Sequence, residues 1–152
     1  MMKIIILFLT IFFSTMNCVS LEITDSINND DKVKVIIKLS FEKELLVARV
    51  EFHNISKIKV GIPIQHLIMD NGEIIQDLFE IKNENNIKAE YIGDVHEIGV
   101  HYYILKSGQK TVNRIVLNRF YKLPKANKYY TVKYDFPFYK YSNIAKIYVK
   151  KK

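Results

Sequence analysis

His96, Glu97 and His101 are the residues of this chain whose types come nearest to metal chemistry. Two histidines four apart on a helix, with a glutamate beside the first, can hold zinc and activate a water. The run His96-Glu97-Ile98-Gly99-Val100-His101 instead sets its histidines five apart. On a strand an odd separation points them to opposite faces, and Gly99 with its β-branched neighbours opposes a helix. The spacing argues against a shared ion, so no metal ligand is assigned. His53 and His66 stand near Glu51 and Asp70 in sequence, but no serine occupies a nucleophile-elbow setting. The five glycines are scattered, which leaves no phosphate-cradling loop. No catalytic residue and no cofactor is predicted.

The segments that must position these side chains alternate with period 2, and no helical stripe exceeds two turns. Val33, Val35, Ile37 and Leu39 form one inward set, and Leu46, Ala48, Val50 and Phe52 a second. Asp70-Asn71-Gly72 predicts a hairpin between Ile62–Met69 and Glu73–Ile81, with positive φ at both central positions. Further strands are expected at Ile87–Tyr91, Ile98–Ile104, Lys110–Leu117, Tyr130–Phe136 and Asn143–Val149, with a turn at Lys106–Gln109. Pro63, Pro124 and Pro137 fall at strand margins, where a missing N–H does least harm. Eight to ten short strands with regular turn signals predict an all-β fold, an antiparallel sandwich.

Ahead of these strands, Met1-Met2-Lys3, the apolar run Ile4–Phe13 and the small polar stretch Ser14–Ser20 have the layout of a cleavable signal peptide. The apolar run is too short to span a membrane, which takes about 20 residues. Cleavage after Ser20 divides the chain into a leader (1–20), a polar lead-in (21–31) and a single domain (32–152), exported to a periplasm or secreted. Cys18, the one cysteine, leaves with the leader, and with it any disulfide-linked partner. In the alternative Cys18 is the acylated residue of a membrane lipoprotein, although Thr15-Met16-Asn17-Cys18 departs from the usual lipidation box.

The chain carries a net charge of +7, concentrated late in Lys122, Lys125, Lys128, Lys133, Lys140, Lys146 and Lys150-Lys151-Lys152. Such a face suits an anionic envelope surface or an acidic protein, and a plain solvated lysine surface is the simpler reading. Export and the lack of a recognition motif argue against nucleic acid. Aromatic residues crowd the same third of the chain. Tyr130, Tyr134 and Phe136 fall on the inward set, whereas Phe138-Tyr139-Lys140-Tyr141 reads as an exposed aromatic-basic binding patch or as an aromatic edge strand. Asn54-Ile55-Ser56 matches the N-glycosylation acceptor pattern.

From Ile36 onward the order of Leu46–Asn54, Asp77–Ile81, Ala89–Gly93, Tyr103–Gln109 and Tyr121–Tyr134 resembles the small immunoglobulin-like domain that accompanies deuterolysin-type and peptidyl-Lys metallopeptidases. That resemblance implies an immunoglobulin-like β-sandwich and a habit of docking on protein. It transfers no catalytic residue, because no catalytic domain and no intact zinc helix are present. Leu123-Pro124 leading to Tyr129-Tyr130 resembles the tyrosine corner of such sandwiches, a structural role in which a phenol bonds to backbone.

The expected function is therefore an exported, non-catalytic binding module whose partner is another extracytoplasmic protein, such as a protease or toxin that it restrains. Its candidate binding loops are Ile55–Ile62, Asn83–Asn86 and Phe136–Ser142. Two alternatives stand beside it: an envelope protein held by its lysines or by lipid on Cys18, and an enzyme of unrecognised type.

Overall fold

Strand β1 (Val33–Glu42) buries Val33, Val35 and Ile37 on alternate positions, and β2 (Leu45–Asn54) buries Leu46, Ala48, Val50 and Phe52. The computed structural model describes residues 31–96, 99, 101–136, 139 and 141–149, with only the backbone of Tyr141. The expected leader with Cys18 and most of the expected lead-in fall outside the described residues, as do Glu97, Pro137, Phe138, Lys140 and Lys150–Lys152. Beyond β2 come β3 (Val60–Pro63), β4 (Phe79–Asn83), β5 (Glu90–Tyr91), β6 (Tyr102–Leu105) and β7 (Lys110–Val116). They are followed by β8 (Tyr121–Lys122), β9 (Tyr129–Tyr134), β10 (Tyr141–Ser142) and β11 (Ile144–Tyr148). Among the described residues there is no α-helix, only the 3₁₀ turns Ile64–His66 and Leu117–Arg119.

The strands form a four-stranded sheet in the order β10-β1-β2-β7, a three-stranded sheet β11-β9-β4, and the pairs β3-β6 and β5-β8. Every pairing is antiparallel except β1 with β10, where Lys34 lies against Tyr141 and Val35 against Ser142. Asn143 extends that parallel contact with its side chain. Its Oδ1 accepts from the Ile37 N–H at 2.6 Å and its Nδ2 donates to the Ile37 carbonyl at 3.0 Å.

Both larger sheets feed one hydrophobic core. Phe52 of β2 meets Tyr134 of β9 edge to face at 5.5 Å between centroids, and Phe79 of β4 meets the same tyrosine at 5.7 Å. Such edge contacts add about 0.5–1.5 kcal/mol each beyond the area they bury.

Three sequence expectations change. The Asn71-Gly72 signal makes a turn but not a full hairpin. The Gly72 N–H donates to Met69 O and the Met69 N–H to Glu73 O, both at 2.8 Å. Gly72 has φ +80° and Asn71 is not left-handed, so this is a type I turn closed by a glycine bulge. Its arms do not pair further, because consecutive Leu67 and Ile68 are both buried, which breaks the alternation of a half-exposed strand. The turn with two left-handed residues lies instead between β1 and β2, at Lys43 (φ 49°) and Glu44 (φ 69°). Finally, the strand expected over Ile98–Ile104 is met in part by β6, whose core residue is Leu105, while Tyr103 and Ile104 are exposed; Ile98 and Val100 lie outside the described residues.

Candidate functional site

Strand β9 presents two chemically different faces. Val132 and Tyr134 point into the core with the half-buried Tyr130, whereas Tyr129, Thr131 and Lys133 alternate onto the outer face. The antiparallel register sets Tyr148 against Tyr129, Lys146 against Thr131 and Ile144 against Lys133. On the other side of β9, Lys82 faces Thr131 and Glu80 faces Lys133. Cross-strand neighbours share a face, so the outer side of this sheet is a mixed platform of tyrosine, lysine and isoleucine.

At one end of the platform the Lys146 ammonium lies 3.7 Å from the Tyr129 ring centroid and 5.4 Å from that of Tyr148. The two rings stand 6.1 Å apart in an edge-on arrangement. Lysine over an aromatic face at an exposed site contributes about 0.5–1 kcal/mol, which favours this placement of the cation against the rings. Tyr148 is nonetheless 66% exposed and Ile144 67%. Lys82 and Lys133 reach acids on the same sheet, Glu80 at 2.7 Å and Asp135 at 3.4 Å. Lys146 forms no ion pair among the described residues and is exposed.

Of the residues singled out in sequence, Tyr139 faces inward. It is 4% exposed, its ring is 5.9 Å from Phe52, and its hydroxyl is 3.2 Å from His66 Nδ1. Phe138 and Lys140 lie outside the described residues, and Tyr141 belongs to β10. Tyr139 lies between β9 and β10, outside both strands, with its ring packed in the core. The Tyr130 hydroxyl donates to Pro124 O at 2.8 Å, a phenol-to-backbone tie spanning the Leu123–Tyr129 bend. His96 and His101 are both exposed. Among the described residues no three His, Cys, Asp or Glu side chains could hold a metal ion.

The binding loops expected from sequence are largely occupied with holding themselves. Asn54 is buried, and its Nδ2 donates to Ile58 O at 2.7 Å and to Leu105 O at 3.0 Å. Its Oδ1 accepts from the Ser56 backbone and hydroxyl. A sugar on this amide would break that bracket, so the glycosylation pattern falls on a structural asparagine. Asn83 does the same for the next loop, donating to Lys125 O and accepting from the Asn85 and Ile87 N–H groups.

Two buried tyrosines anchor backbone in a similar way. The Tyr121 hydroxyl accepts from the Leu78 and Phe79 N–H groups at 3.1 and 3.0 Å and donates to Asp77 Oδ1 at 2.8 Å. Burial, reinforced by Asp77, raises its pKa. The Tyr134 hydroxyl donates to the His66 carbonyl, and burial raises its pKa as well. The His66 imidazole packs 3.8 Å from the Phe136 ring, and burial lowers its pKa from 6.5 to about 4.

A groove of about 500 Å³ opens elsewhere on the surface. Leu67, Ile68 and Tyr103 line it with Asp70, Thr111 and Asn113. The turn Lys106–Gln109 joins β6 to β7, yet the two strands pair with different partners, β3 and β2.

The sequence reading missed the Tyr129–Lys146–Tyr148 cluster, although its signal was present. Period-2 alternation on β9 and β11 assigns all three to the face opposite Tyr130, Val132 and Ala145, but only their register brings them together. No protein-family model and no curated protein matches this chain.

Proposed function

We propose that this chain is an exported, non-catalytic binding module with an immunoglobulin-like sandwich architecture. It docks on another extracytoplasmic protein, such as a protease or toxin that it restrains, through the outer face of the β11-β9-β4 sheet. The sandwich reading is supported by strand order. The runs β1-β2-β7 and β4-β9-β11 correspond to the A-B-E and C-F-G sheets of such domains. The Tyr130 tie to Pro124, at the start of the strand in the F position, corresponds to a tyrosine corner.

The observation that carries the docking reading is the Lys146 ammonium held over Tyr129 beside an exposed Tyr148. Tyrosines are enriched at interface hot spots because they supply large, rigid area with a polar tip. Here the lysine–ring contacts bias the side chains toward one arrangement, and any such bias lowers the ordering entropy lost on binding. An acidic, aromatic-accepting protein surface complements this face.

The test is site-specific photocrosslinking in the cells that make the protein, with a benzophenone side chain at Tyr148 or, as control, at Arg49 of β2. A discrete protein adduct from position 148, lost on Lys146→Glu, is expected. Equal labelling from both positions would overturn the docking reading. Salt-sensitive binding to vesicles of anionic lipid, with no protein adduct, would favour the alternative of an envelope-associated protein held by its lysines. Salt-resistant attachment abolished by Cys18→Ser would favour the lipoprotein.

A further inference from the structure

The groove bounded by Leu67, Ile68 and Tyr103 has features that the docking face does not explain. Its floor is aliphatic and fully part of the core, with Leu67 and Ile68 under one tenth exposed. Its polar lining is Asp70, Asn71, Thr111 and Asn113, the last two at alternate positions on β7 and so on one face of it. The Asn113 Nδ2 donates to Asp70 Oδ1 at 3.3 Å, which orients the carboxylate. At about 500 Å³ the space is within the range that takes a small organic molecule.

Charge distinguishes what that molecule is. The chain carries seven more cations than anions, and its ion pairs among the described residues engage Glu42, Glu51, Glu73, Glu80 and Asp135. Asp70 is not among them. It is also the one charged side chain lining the groove. A carboxylate beside low-dielectric walls attracts a cation more strongly than one on an open surface. An anionic ligand is repelled by it, and a neutral apolar one would desolvate the carboxylate without returning a partner.

From this juxtaposition we infer that the groove is a binding site for a small organic amine, an ammonium head on an aliphatic stem. The head bonds to Asp70 and the Thr111 hydroxyl, and the stem packs on Leu67, Ile68 and Tyr103. Recognition is by the combination of positive head and apolar tail, the carboxylate adding to the affinity that the aliphatic wall gives the stem. The site is built from β6, β7 and the 67–70 segment, so it stands independently of the proposed docking face on β9 and β11.

Titration of the full exported chain with hexylammonium, followed by backbone amide shifts, tests the assignment. Saturable shifts at 67–71 and 111–113 are expected, with hexanol weaker by about fivefold and hexanoate weaker still. Asp70→Asn retains an oxygen for Asn113 and lies on an exposed turn, so it folds; it is expected to weaken hexylammonium about fivefold while leaving hexanol unchanged. Equal affinity for hexanoate, indifference to Asp70→Asn, or shifts confined to Tyr129 and Tyr148 would each overturn the proposal. Tighter binding of Nα-acetyl-lysine N-methylamide than of hexylammonium would overturn the free-amine assignment in favour of a lysine presented by a peptide.

Discussion

Tyr134 and Tyr129 belong to one strand, five residues apart, and are used in opposite ways. Tyr134 is buried against Phe52 and Phe79 with its hydroxyl tied to the His66 carbonyl. Tyr129 lies on the far side of the same strand, under the Lys146 ammonium and beside a ring that is mostly in solvent. Inside, the phenol is a backbone anchor, repeated by Tyr121 and in half-buried form by Tyr130. Outside, it is a platform. The difference teaches that the aromatic richness of this chain is not one property. The inward set holds the fold together, and the outward set can be changed without disturbing it.

The largest test of this contrast is acid. Burial keeps the His66 ring neutral down to about pH 4, whereas an unfolded chain takes up that proton near 6.5. Stability is therefore full above pH 6.5 and declines as pH falls toward 4, by roughly 3 kcal/mol in all. Urea melts taken from pH 7 to 4 are expected to show this slope, and His66→Gln to flatten it. A slope that persists in the variant would assign the acid sensitivity to other groups.

Tyr121→Phe is the next largest. It strips the Leu78 and Phe79 N–H groups of their acceptor inside the core, at a cost of about 2 kcal/mol in urea denaturation. Smallest is Tyr148→Ala on the outer face, which is expected to shift stability by less than about 0.5 kcal/mol. If Tyr148→Ala were as damaging as Tyr121→Phe, the outer rings would be part of the scaffold and the contrast would fail.

Alternation alone located the core of β1, β2 and β9, because a sheet with one wet face leaves a period-2 record in Val33–Ile37 or Tyr130–Tyr134. It chose the wrong inward residue on β6, where Tyr103 and Ile104 are both exposed and the pattern carries no record of which side is inward. Turn chemistry misled in a similar way. Asn71-Gly72 advertised two left-handed residues, but that geometry falls on Lys43 and Glu44, which the pairing of β1 with β2 imposes on residues with no local preference for it. The side-chain brackets by Asn54, Asn83 and Asn143 were illegible, since an asparagine in sequence does not disclose which distant carbonyl it meets. The lysine-tyrosine cluster needed cross-strand register, which is a property of the folded sheet.

The parallel contact of β1 with β10, extended by Asn143 onto Ile37, bears on how the domain meets force. Two strands running the same way have their chain-entry and chain-exit ends at opposite tips. A pull that draws the N-terminal side of β1 away from the C-terminal side of β11 therefore slides β1 past β10. The rungs between them and the Asn143 clasp are loaded together, in shear, rather than opened one after another like a zip. A short stretch of hydrogen bonds thereby resists that pull as one unit.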